Sequence, residues 1–225
     1  MIMMSKRLIF SVAFLAAFIF SSTAVAQTQP DSLSTVAERI RVNSPALRTN
    51  LAWAGTATPN LGVEFHVGQH FTLAVDGGYK PWPRWLAWDN DIENPLKWRH
   101  MAVESVLRWY PKENYRGFVL GSGLVWSHYN IASITAPWGL YPELATYRLQ
   151  GDFYGLNLTL GWSWWLTRHL RLSLEAGAAA GYRKAARYDC PRCGAEVGTS
   201  EGYKTLPKLD VSVAYHLFSA KHSGK

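Results

Sequence analysis

Residues 152–182 read DFYGLNLTLGWSWWLTRHLRLSLEAGAAAGY, and two segments within them place apolar and polar or small residues on strictly alternate positions. In the first, Tyr154, Leu156, Leu158, Leu160, Trp162 and Trp164 form one row, while Phe153, Gly155, Asn157, Thr159, Gly161 and Ser163 form the other. After a turn at Thr167-Arg168-His169, the second sets Leu170, Leu172, Leu174, Ala176, Ala178 and Ala180 against Arg171, Ser173, Glu175, Gly177, Ala179 and Gly181. A period of two marks a strand with two unlike faces. The apolar rows are long enough for a tilted membrane-spanning strand, which needs about 9–11 residues, and aromatics at the row ends match the girdles of barrel strands at headgroup level.

The N-terminus points the same way. Lys6 and Arg7 precede an apolar run from Leu8 to Phe20, and small residues end in Ala24-Val25-Ala26. This is the pattern of a secretory signal peptide over residues 1–26. The run is too short to span a bilayer, and Gln27 stands where a lipid-anchored terminus would carry Cys. Residues 27–225 suffice for one domain of moderate size. The formal charge of the whole chain is +7, two units of it in the signal peptide. The remainder is dispersed, without the Lys/Arg run that tracks nucleic acid, so a nucleic-acid partner is excluded. A basic exterior suits anionic headgroups. After the signal peptide no stretch approaches the 18 apolar residues of a spanning helix, and only a closed barrel then satisfies its backbone in lipid.

The same test along the chain predicts eight strands. The first spans Leu47 to Ala57 with Leu51 and Trp53 outward, and Pro59-Asn60 makes a short turn. The second alternates Leu61, Val63, Phe65 and Val67 with Gly62, Glu64 and His66; Gly68 to His70 turn into the third, Phe71 to Tyr79. A Pro- and Trp-rich loop, 81–95, leads to the fourth, His100 to Trp109. The fifth, Gly117 to Tyr129, has a blurred alternation. A long loop at 130–151 precedes the two opening segments, and another at 183–206 precedes the eighth, Lys208 to Leu217. Long loops on one end and short turns on the other place both termini in the periplasm. The expected organisation is a signal peptide (1–26), a periplasmic lead-in (27–46), an all-β, eight-stranded antiparallel up-and-down transmembrane barrel (47–218) of the outer-membrane protein A and X kind, and a periplasmic tail (219–225).

The inward row carries Arg48, Arg108, Arg171 and Lys208 with Glu64, Asp76, Glu104, Glu175 and Asp210. An eight-stranded interior is just wide enough for side chains to fill, so these charges must pair at close range. They predict an ion-pair network that plugs the lumen; a proton or solute path is the alternative. Cys190 and Cys193 in Cys-Pro-Arg-Cys-Gly fit half a zinc knuckle, but the chain has no third Cys. In an exported chain a loop disulfide is the favoured state over free thiols or metal. No cofactor or metal is expected. Ser127-His128, with Glu143 or Asp152 nearby in sequence, hints at a hydrolase; yet adjacent strand residues face opposite ways, so the two cannot act as nucleophile and base without a bulge. Trp82, Trp85, Trp88 and Trp138 form an aromatic loop surface for a partner, with interface anchoring as the simpler reading for the tryptophans in general.

Thr58-Pro59-Asn60-Leu61-Gly62-Val63-Glu64-Phe65 resembles the signature hairpin of the domain-of-unknown-function 3575 family of Bacteroidetes outer-membrane proteins. The likeness extends to Trp98-Arg99, Arg108-Trp109-Tyr110, Gly181-Tyr182 and residues 207–213, PKLDVSV, and covers nearly the whole chain after the signal peptide. The resemblance implies an eight-stranded barrel and companionship with fimbrial and other surface-assembly proteins. The Cys-Pro-Arg-Cys loop departs from the family's pattern.

These readings combine into an outer-membrane barrel with a plugged lumen and a structural, adhesive or surface-assembly role carried by its loops. Its partners would be outer-membrane lipid, lipopolysaccharide and a surface or fimbrial protein. The alternative is an outer-leaflet enzyme that hydrolyses lipid A or phospholipid, with His128, Ser127 or Ser133 as candidates. A soluble lipocalin-like barrel would need the apolar rows inside, against the glycines and charges of the opposite row.

Overall fold

A computed structural model describes residues 44–81, 97–112, 115–134, 142–189 and 194–217. Eight antiparallel strands run β1 (Ala46–Asn50), β2 (Asn60–Gly68), β3 (Phe71–Lys80), β4 (Lys97–Trp109), β5 (Gly117–Ala132), β6 (Arg148–Trp165), β7 (Leu170–Tyr188) and β8 (Glu196–His216). Each pairs with its sequence neighbours, and β8 closes on β1, giving an up-and-down barrel. The two decisive rows pair residue for residue from Arg148↔Tyr188 to Trp165↔Arg171. Their alternation sets the faces: Leu156, Leu158 and Leu160 are exposed, whereas Asn157, Thr159, Ser173 and Glu175 are buried. The core of this protein is therefore its polar row. The signal peptide, nearly all of the lead-in and the 219–225 tail lie outside the described residues.

Several expectations about elements are corrected. The first strand ends at Asn50, and Leu51–Gly55 forms a helical turn, α1. Asn50 causes the switch. Its side chain accepts hydrogen bonds from the Ala52 and Trp53 amides at 2.9 and 3.3 Å, the role of a helix N-cap. Asn60 takes over the strand pairing, accepting from the Asn50 amide at 2.6 Å and donating to the Asn50 carbonyl at 2.9 Å. The first connection thus spans residues 51–59 rather than a short turn. Trp53 turns inward rather than outward: a Cβ on the lumen-side Gly78 would lie 2.5 Å from its indole ring, and the ring meets His100 edge-on at 6.4 Å.

The expected loop at 183–206 is largely strand, and the one at 130–151 is strand at both of its ends. β5 continues to Ala132 and β6 starts at Arg148, so their connection covers residues 133–147, including a short helical turn, α2 (Glu143–Thr146). β7 and β8 remain paired out to Tyr188↔Glu196, and only residues 189–195 connect them. Alternation fails there as a signal because a strand with similar surroundings on both sides has no reason to be two-faced, although its backbone pairs as before.

Candidate functional site

Inside the barrel the nine charged residues that the sequence places on the inward row form ion pairs. The Arg48 guanidinium lies 3.1 Å from Asp76 and 2.9 Å from Asp210, donates to the Ser212 hydroxyl at 2.9 Å and stands 3.7 Å from Glu64. Arg108 donates to Glu175 at 2.7 Å and lies 3.7 Å from Asp210. Arg171 pairs with Glu64 and donates to the Tyr110 hydroxyl at 2.9 Å. Lys208 pairs with Glu104, which also accepts from Asn157 at 2.6 Å. Thr72 and Thr159 donate to Glu64 and Glu175 at 2.7 and 2.9 Å. Charges removed from water in this way are tolerable only when paired and hydrogen-bonded.

The strands place these groups by register. Glu64 and Asp76 come from the paired strands β2 and β3, Asp76 faces Glu104 across β3 and β4, and Glu175 faces Asp210 across β7 and β8. Adjacent carboxylates demand cations between them: Arg48 supplies one from β1, the strand between β8 and β2, and Arg108 another from β4, three strands away from Glu175 on β7. Room comes from small residues on the same rows. A Cβ at Gly62 would collide with the Asp76 carboxylate, and one at Gly121 would sit 3.2 Å from Glu175.

Residues that sequence reasoning missed close both ends. At the turn end, Tyr115 lies under the Arg171 guanidinium at 4.6 Å and meets His216 at 4.7 Å; Trp165 packs on the other side of this cluster, 4.4 Å from His216. At the loop end, the buried Lys80 donates to the Thr56 carbonyl at 2.9 Å and sits 4.8 Å over the Trp98 ring. Lys80 lies on the inward row of β3, two places beyond Gly78, and that parity was the signal that could have found it. His216 falls on the inward row of β8 by parity with Asp210 and Ser212, but nothing in its neighbourhood in sequence announces an aromatic stack.

Above the lumen, α2 is tied to the β7–β8 ribbon. Arg183 pairs with Glu143 at 2.6 Å and with Ser200, whose hydroxyl donates to Glu143 at 3.1 Å. Burial raises the Glu143 pKa, but the Arg183 hydrogen bond and charge outweigh it and hold the carboxyl below its usual range. On the outer wall, His128 and Asp152 are 3.0 Å apart and the Trp126 indole donates to Asp152 at 3.3 Å. Ser127 is on the opposite, inward row, paired with Ala102 and Phe153, so the serine and histidine do not meet. Ser133 follows β5 with a positive φ of 58°. Cys190, Cys193, Trp82, Trp85, Trp88 and Trp138 lie outside the described residues. Among the described residues no group of three or more His, Cys, Asp or Glu is arranged to hold a metal.

The outward rows are uncharged over a defined height, and apolar but for Ser105, Ser122 and Thr205. They carry no Asp, Glu, Lys or Arg over 61–67, 71–79, 101–109, 118–126, 154–164, 172–182 and 203–215. On β6 the stretch runs from Tyr154 to Trp164, about 34 Å along a strand at ~3.4 Å per residue. Aromatics bound it on both sides: Phe71, Trp109, Phe118, Trp162, Trp164 and Tyr215 near the turns, and Tyr79, Tyr154, Tyr182 and Tyr203 toward the loops, all exposed. Among the described residues no helix is long and apolar enough to cross a membrane.

A family model described as Protein of unknown function (DUF3575) matches residues 17–217. The chain belongs to that family. Within this DUF3575 chain the Pro-Asn-Leu-Gly-Val-Glu block has a structural account: Asn60 locks the end of β1, Gly62 clears space for Asp76, and Glu64 holds Arg171 and Arg48. No curated protein and no solved structure gives a match.

Proposed function

We propose that this chain is an outer-membrane β-barrel, exported through residues 1–26, that anchors a surface-assembly or adhesion function at its loop end. The carrying observation is the combination of an uncharged outer wall with a lumen filled by paired charges. In lipid such a wall needs no further cover, and the filled lumen leaves no place for a conducted solute. Function then falls to the connections after β1, β3, β5 and β7, the last of them carried on a β7–β8 ribbon that stays paired out to Tyr188 and Glu196. Lipopolysaccharide surrounds that end, and a surface or fimbrial protein is the partner class. The test removes residues 186–198, with a short Gly-Ser link in their place, and reads surface assembly or adhesion alongside heat-modifiable migration of the barrel. Loss of assembly with the barrel intact is expected; full assembly without the ribbon tip would contradict the reading.

A second reading has one observation in its favour. The His128–Asp152 pair on the outer wall resembles the base and orienting acid of a hydrolase, and with Ser127 on the other face the nucleophile would be water. It requires that lipid A or phospholipid masses change on gene deletion and that His128→Ala reproduce the change. Unaltered masses in both strains would end it.

A further inference from the structure

A shallow apolar groove of about 440 Å³ lies on the outer wall of β2–β4, toward the loop end. Gly77 forms the floor. Its direct partners across the ladder, Leu61 and Val103, stand on either side, and the next outward pair, Tyr79 and Met101, stands on the loop side.

Glycine is disfavoured inside strands, and where it occurs it marks a bulge, a bend or the close approach of another group. The neighbouring residue, Gly78, is explained by Trp53, whose ring fills the space a side chain would take. Gly77 has no such explanation. The ladder passes through it without a bulge, its φ is not positive, and a Cβ there would meet nothing within 4 Å. Among the described residues it is the one glycine inside a strand with ordinary φ and open space above it; the strand glycines at 62, 78, 121, 123, 151, 155, 161, 177 and 181 each have a close neighbour. The missing side chain leaves room for something outside the chain.

We propose that this groove seats an acyl chain of a lipid from the leaflet on the loop side. The chain lies over Gly77 between Leu61 and Val103, with Tyr79 and Met101 toward its headgroup end. The inference rests on the membrane reading above, because an uncharged outer wall is bathed in hydrocarbon only if that reading holds. Leu61 and Tyr79 are 63% and 58% exposed, so the walls stand clear of the sheet and offer dispersion contacts on two sides rather than one.

The test reconstitutes the full protein, and Gly77→Leu and Gly77→Ala variants, in phosphatidylethanolamine vesicles. These carry a trace of the same lipid with a diazirine midway along one acyl chain. Heat-modifiable migration first establishes that each variant is folded. Irradiation and peptide mass spectrometry are expected to find adducts at Leu61, Tyr79 and Met101 several-fold above those at Leu156 and Leu158 on the far wall. Gly77→Leu brings the groove down to the level of the far wall, Gly77→Ala falls between, and neither changes Leu156 or Leu158. Equal labelling of both walls in the wild type, or groove labelling untouched by Gly77→Leu, overturns the inference while leaving the membrane reading standing. Protein-to-protein links through Leu61 and Tyr79 overturn it in favour of a second copy of the chain. Absence of lipid adducts on every outward row removes the membrane reading itself.

Discussion

Glu64 shows how much a single inward position carries. Its carboxylate accepts from Thr72, pairs with Arg171 and lies 3.7 Å from Arg48, and neither Glu64 nor Arg171 is more than 1% exposed. With no water to screen the survivor, removing one partner strands a buried charge. Arg171→Met is therefore expected to cost about 3–5 kcal/mol, read as a lower urea midpoint for loss of heat-modifiable migration. Adding Glu64→Gln to Arg171→Met should recover most of that loss, because no bare charge then remains; an unimproved double variant would show that packing, not charge, dominates. Gly62 and Gly77 make an opposed pair for the same measurement. Gly62→Ala pushes a methyl into the Asp76 carboxylate and should destabilise the barrel, whereas Gly77→Ala meets open space and should be neutral. Such roles were only half legible in the sequence. Parity placed Glu64 and Arg171 on one face, but which carboxylate meets which guanidinium depends on the closure of β8 against β1, and no local pattern encodes that register.

Among the elements, α1 and the β7–β8 ribbon departed most from expectation, for different reasons. Through Leu51 and Trp53 the alternation continues, so α1 reads as strand; the switch lies in Asn50 and in the side chain of Asn60, ten residues away. Asn50→Ala removes the cap and should cost about 1 kcal/mol, with faster amide exchange at Ala52 and Trp53. The ribbon was read as a loop because its residues lie past the apolar band, where no difference between faces writes a pattern. Its contact with α2 carries a pH dependence. Arg183 and Ser200 hold the Glu143 carboxylate below its usual range, with Lys204 adding to the effect and Tyr129 nearby. A lowered pKa means that the contact contributes stability above the ordinary carboxylate range and loses it as pH falls through the lowered value. The protection of amides 142–147 against hydrogen exchange, taken relative to the intrinsic rate at each pH, should be high at neutral pH and fall on acidification to about pH 3, below the usual glutamate pKa. Glu143→Gln should show the low protection at all pH values; if its protection stays high and pH-independent, the contact does not depend on the charge.

At the scale of the molecule, legibility followed the environment. Where lipid would bathe one side of the strand and packed charge fills the other, the period of two is strict, and the faces of β2, β3, β4, β6 and β7 were readable residue by residue. β5 was blurred because Val119 and Val125 sit on its inward row among glycines. The lumen's contents were readable as a list, and the closing layers of Tyr115, Trp165 and His216 below and Trp53 and Lys80 above were not. The central claim is a membrane-embedded barrel with its loop end outward, and protease treatment of intact cells with mass spectrometry of the released peptides tests it most directly. The account predicts cleavage only within the loop-end connections, residues 51–59, 81–96, 133–147 and 189–195, with residues 183–188 and 196–206 protected by their pairing. Cleavage at the turns 69–70, 110–116 or 166–169 on intact cells, or uniform cutting through 183–206, would contradict it.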